Sequence, residues 1–167
     1  MVAWAWALAM AFWWAPLSAS GTDCEVDRFR ILYQTACDDF RNPTTVEGYL
    51  EVMSTAIETC GETPLARGYQ AAAGLMTAGL HWNPIEAWSQ FNAWKPVLEA
   101  SIAKAPADPD LRFLRLGVQT NVPAIVGYRG EIEGDLALIQ EALQSGHWRD
   151  IPAFESFVAE TVSSLVQ

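Results

Sequence analysis

The chain has 167 residues, 51% hydrophobic and 18% charged, with 20 acidic against 10 basic residues and a net charge of −10. That length suffices for one domain with its own core. The acidic excess argues against nucleic acid and anionic membrane surfaces as partners, since both need a basic footprint.

Val2 to Leu17 is uninterrupted apolar sequence, closed by Pro16 and small residues. A spanning helix needs about 20 residues and this run is shorter; its length and small-residue exit fit a secretory signal peptide cut after Ala19 or Ser20. No Lys or Arg precedes the run, so an uncleaved anchor is the alternative, and only then is a membrane an expected partner. The expected organisation is a signal peptide over 1–20 and a single all-helical domain over 21–167, periplasmic or secreted.

Past the signal, Val26, Phe29, Tyr33, Cys37 and Phe40 share one helical face. Asn42-Pro43 marks a turn. Val46, Tyr49, Leu50, Met53, Ile57 and Cys60 then form a second apolar stripe, capped at Thr44 or Thr45 and ended by Gly61. The two segments predict an antiparallel helical hairpin. Thr63-Pro64 opens a third helix with Leu65, Tyr69, Ala72, Met76 and Leu80 inward; its bulk-free run Ala71 to Gly74 lets a neighbour approach closely. Asn83-Pro84 with Glu86 opens a fourth. Trp88, Phe91, Trp94, Leu98 and Ile102 recur along it, and Pro96 should kink it or remove a backbone bond near Asn92. The stripe Trp82, Trp88, Trp94 is expected to be core, the alternative being a concave aromatic surface for a peptide or partner.

Asp108-Pro109 starts the fifth helix and Pro123 stops it. Leu111, Phe113, Leu114, Leu116 and Val118 point almost all round its wheel, which predicts a buried central helix. The loop from Pro123 to Gly130 should pack down. Glu131 to Ser145 and about Asp150 to Val166 complete the helices, with no strand alternation. The expected fold is all-α: antiparallel hairpins stacked around the central helix.

Helix pairs of about 34 residues with cap–proline openings suggest tetratricopeptide-like stacking. Leu65 to Ile139 also resembles a family of uncharacterised bacterial exported proteins. The resemblance rests on Gly68-Tyr69, Asn83-Pro84, Leu111 to Leu116, Gln119, Pro123, Gly127-Tyr128 and Asp135. It implies a helical, tetratricopeptide-like fold and no particular reaction. The tryptophans of the fourth helix depart from the family's usual lysines and phenylalanine.

Three cysteines leave one pair and one odd thiol. Cys24 and Cys37 lie roughly 20 Å apart along one helix and cannot bond. Cys24 and Cys60 are mirror positions about the hairpin turn, which predicts a Cys24–Cys60 disulfide and a free, buried Cys37.

The candidate site is the polar stripe of the fifth helix, Arg112, Arg115 and Gln119, joined by Tyr128. Fixed guanidinium forks suit a carboxylate or phosphate, so one reading is a pocket for an anionic ligand. The other is that Glu58, Glu99 or Asp135 answers these charges internally. His81 and His147 lack a second ligand at metal spacing and are expected at helix ends. Asp38, Asp39, Glu131, Glu133 and Asp135 have no calcium-loop pattern. No nucleophile elbow, phosphate loop or dinucleotide fingerprint occurs. No catalytic residue, metal or cofactor is therefore expected. The leading functional expectation is a non-enzymatic binding or scaffold domain that grips a protein or peptide in a groove between helix pairs. The alternatives are the anionic-ligand pocket and a carboxylate-based hydrolase.

Overall fold

Four helices of this protein begin on an Asn, Thr or Asp cap followed by proline, and that local chemistry sets the frame. In the computed structural model, which describes residues 25–166, seven α-helices and no strand occur among the described residues. They are α1 (Val26–Asp38), α2 (Pro43–Cys60), α3 (Pro64–Leu80), α4 (Pro84–Lys104), α5 (Pro109–Asn121), α6 (Ile132–Ser145) and α7 (Pro152–Val166). The all-α fold follows the sequence expectation. The expected signal peptide and Cys24 lie outside the described residues.

At each of the four openings the cap side chain accepts a backbone N–H that the first helical turn leaves unpaired. Asn42 takes the amide of Thr44, Thr63 that of Ala66, Asn83 that of Ile85, and Asp108 those of Asp110 and Leu111. The cap of α2 is thus Asn42, not Thr44 or Thr45; the asparagine amide forms the cap while Pro43 occupies the first helical position. Asn83 also donates to Glu86 at 3.1 Å. Exposed Pro96 sits inside α4, and the helix continues through it.

The centre is shared rather than held by one helix. α5 is buried nearly all round, as its wheel predicts, from Asp110 through Leu116 except Arg112. α3 is buried without a break from Gly68 to Leu75 and packs on α1, α2, α4 and α5. Its small residues make this possible. A Cβ added to Gly74 would lie 2.2 Å from the indole of Trp94, and one on Gly68 would lie 2.1 Å from Leu111. Helix α7 closes the far side against α1 and α6, bringing Phe154 and Phe157 edge-on to Phe113 with centroids 5.8 and 5.6 Å apart.

Two expectations about apolar residues need correction. Trp94 packs against the core, but Trp82 is 92% and Trp88 52% exposed. Trp82 falls in the turn before the Asn83 cap, outside any helical register, and Trp88 stacks on Phe91 at 5.8 Å with its outer part in solvent. The loop after α5 packs down through buried Tyr128 and partly buried Val122 and Val126, while Ile125 stands 95% exposed. No described helix is long and apolar enough to cross a membrane.

Cys37 is a free thiol, as expected, but only partly buried on the inner face of α1, with the hydroxyl of Tyr33 bonded to it; desolvation pushes its pKa up to about 11. Cys60, at the end of α2, is not free.

Candidate functional site

The polar stripe of α5 meets α4, α6 and the loop before α6. Arg115 donates Nε and Nη2 to the two carboxylate oxygens of Asp135, both at 2.7 Å, and Nη1 to Glu99 at 3.2 Å. Arg112 adds a 3.0 Å bond to Asp135 and holds the carbonyl of Pro106 at 2.8 Å. Tyr128 donates to the other oxygen of Glu99. Asp135 is wholly buried and Arg115 nearly so. Bidentate bonding to Asp135 raises the Arg115 pKa further, and burial with the bond to Glu99 raises that of Tyr128.

The structure thus brings Arg112, Arg115 and Tyr128 together, and acids of the chain itself answer them. Glu99 and Asp135 were two of the three internal partners weighed from sequence; exposed Glu58 is not involved. Asp135 is no solvated-face charge, because the i, i+3 spacing of Arg112 and Arg115 aims both guanidiniums at one point.

Gln119, one turn further along, is 1% exposed, and its Oε1 has no hydrogen-bond partner. An orphaned buried carbonyl carries a desolvation cost of about 1–3 kcal/mol. Gln119→Met, which keeps the volume and removes the polar atoms, is therefore expected to leave stability unchanged or raise it by up to about 1 kcal/mol. Urea unfolding monitored by circular dichroism measures this; a loss above about 1 kcal/mol would mean that the amide serves a real partner.

A second ionic cluster escaped the sequence reading. Asp110, 1% exposed, receives Nε and Nη2 of Arg30 at 2.8 and 2.7 Å and the hydroxyl of Tyr69 at 2.7 Å. Trp148 Nε1 donates at 3.3 Å, and His147 Nε2 lies 3.0 Å away. Burial alone would raise the Asp110 pKa, but the bonds from Arg30, His147 and Tyr69 hold it well below the usual carboxylate range. One carboxylate thereby ties α1, α3 and the turn before α7 to the start of α5. The signal available was a second aspartate in the first turn of a helix predicted to be buried. His147 does follow a helix end, but its contact is this carboxylate. His81, at the end of α3, lies 3.4 Å from Glu86. No group of His, Cys, Asp and Glu among the described residues is arranged to hold a metal.

The open concave feature lies elsewhere. A groove of about 740 Å³ runs between the ends of α1 and α3, the start of α4 and the end of α5. Tyr33 and Cys37 form one wall, Met76 and Phe91 another, and Val118 and Val126 a third. Among its described lining residues there is no Asp, Glu, Lys or Arg; the polar side-chain groups are those of Tyr33, Cys37, His81, Trp88 and Asn121. Its size falls within the range of small-molecule sites. Trp82 in the α3–α4 turn, Ile85 at the start of α4 and Ile125 in the loop after α5 each neighbour a lining residue and are at least 79% exposed.

Set against known protein families, curated proteins and solved structures, the chain matches none.

Proposed function

We propose that this is an exported, non-enzymatic helical binding domain that holds an apolar guest in the groove between α1, α3, α4 and α5. The observation that carries the reading is the uncharged groove itself, in a chain where 30 residues are charged. A site without fixed charge recognises shape and apolar surface, and its few polar groups orient the guest. The anionic-ligand reading of Arg112, Arg115, Gln119 and Tyr128 is weaker, because an anion would have to displace Asp135 from two guanidiniums. A carboxylate hydrolase gains no support from Asp110 or Asp135, since arginine forks occupy both. Export rests on the apolar run from Val2 to Leu17, and a Cys24–Cys60 disulfide, which fits an oxidising compartment, belongs to the same proposal. Tetratricopeptide-like stacking is likewise proposed, from the cap–proline spacing.

The test uses the uncharged dye N-phenyl-1-naphthylamine as the guest. Its fluorescence should rise on titration with the protein, and saturating dye should slow alkylation of Cys37, which lines the groove. Val118→Trp, placing an indole inside the groove from a partly buried position, should weaken dye binding at least tenfold with the melting transition retained. Unchanged affinity in that variant would overturn the reading.

A further inference from the structure

The tip of the molecule around the groove mouth differs from the rest of its surface. Eight large hydrophobic residues stand exposed among the described residues, and five of them (Phe40, Trp82, Ile85, Trp88 and Ile125) line the groove or neighbour a lining residue in sequence. Scattered apolar side chains need no explanation, but a contiguous set marks an interaction surface. The supporting sequence is free of charge as well. Gln70 to Ile85 and Leu116 to Tyr128 contain no Asp, Glu, Lys or Arg, although the chain carries a net charge of −10.

Three features distinguish the occupants such a surface could take. A helix lying in the groove would cover Met76, Phe91 and Val118, yet leave Trp82 and Ile125, which project beyond the groove at 92% and 95% exposure. Apolar side chains protruding from turns suit a medium that surrounds them, as the boundary of a bilayer does. Tryptophan favours that boundary because its ring is apolar and its N–H remains wet. The charges beside the tip are one acid, Glu86, bonded by Asn83, and one base, Arg129, which donates to the carbonyl of Val122. They cancel, so the tip meets a neutral surface without net charge while the acidic remainder faces away.

Resting on the groove reading above, we propose that the tip formed by the α3–α4 turn and the α5–α6 loop docks on the surface of an electrically neutral lipid bilayer, and that the groove behind it receives one acyl chain from that bilayer. Trp82, Ile85 and Ile125 enter the interfacial layer, and the walls at Cys37, Met76 and Val118 meet the chain.

The experiment incubates the full chain with phosphatidylcholine vesicles containing a lipid with a photoactivatable diazirine in its acyl chain. After irradiation, crosslinks are mapped by peptide mass spectrometry, which separates this tip from the apolar N-terminal run. Crosslinks are expected in residues 81–88 and 122–128 and on groove peptides carrying Cys37 or Met76. The triple variant Trp82→Ser, Ile85→Ser, Ile125→Ser changes only exposed positions; it should fold with the same circular dichroism and lose these crosslinks at least tenfold. Crosslinks confined to the N-terminal run, or undiminished in the triple variant, would overturn the proposal. So would tip-to-tip crosslinking of two copies in the absence of lipid, which would make the surface a dimer contact. If lipid never reaches the tip while N-phenyl-1-naphthylamine still fills the groove in a Val118-dependent way, membrane docking fails and the binding-domain reading stands.

Discussion

Asp110→Ala should destabilise the protein by about 3–5 kcal/mol, the range found when one partner of a buried ion pair is removed. The substitution leaves the Arg30 guanidinium, whose side chain is 12% exposed, with only the solvent-exposed Asp27 as counter-charge, and deprives the Tyr69 hydroxyl and Trp148 indole of their acceptor. Each unmet donor adds to the loss, because its hydrogen bond to water has already been given up. Urea unfolding measures the effect, and a loss under about 1 kcal/mol would show that the cluster is not a structural centre. Replacing both charges, Asp110→Leu with Arg30→Met, should recover part of the loss, since an apolar pair needs no counter-charge. The pH dependence has a definite sign. The Asp110 pKa is lower folded than unfolded, so its contribution is complete above the ordinary carboxylate value of about 3.9 and fades as pH falls below it. Stability should therefore fall less steeply with acid in Asp110→Asn than in the wild type.

Asp135→Ala should bring a loss of the same size, about 3–5 kcal/mol, with a different structural consequence. Asp135 is the point at which α6 is fastened to α5: it is wholly buried and accepts three bonds from Arg112 and Arg115. Without it two guanidiniums face a buried site. Arg115 keeps only Glu99 at 3.2 Å and Glu131 at 3.8 Å, whose side chains are 35% and 63% exposed. Solvent screens such partners, and exposed pairs contribute about 0–1 kcal/mol. Glu131→Gln should accordingly change stability by less than about 1 kcal/mol. Hydrogen exchange separates the two clusters: Asp135→Ala should speed exchange first in Ile132 to Ser145, and Asp110→Ala first in Val26 to Asp38. Equal effects of the Asp135 and Glu131 substitutions would contradict this account.

The helices could be read from the sequence because each is specified by neighbours a few positions away. Asn83, Pro84 and Glu86 meet within one turn, and Val46, Tyr49, Met53 and Ile57 share a face whatever else the chain does. The all-round apolar wheel of α5 fixed its burial in the same way, and the bulk-free run ending at Gly74 announced a close neighbour. Part of the arginine cluster was legible too, since two guanidiniums in a buried helix in a chain rich in acids must be answered.

What answers a buried charge is a different kind of question, and the tertiary structure decided it. Asp110 draws on Arg30, Tyr69, His147 and Trp148, which lie 80, 41, 37 and 38 residues away along the chain. No periodicity relates them, because they converge only after α1, α3 and α7 have packed. The tryptophans teach the same lesson: Trp82, Trp88 and Trp94 look equivalent as sequence, and only the ending of α3 at Leu80 leaves the first two at an open groove while Gly74 admits the third. Local patterning by itself determined which segments are helical and which faces are apolar. Packing determined which apolar faces find a partner and which polar groups meet, because burial and charge pairing depend on contacts across the whole chain.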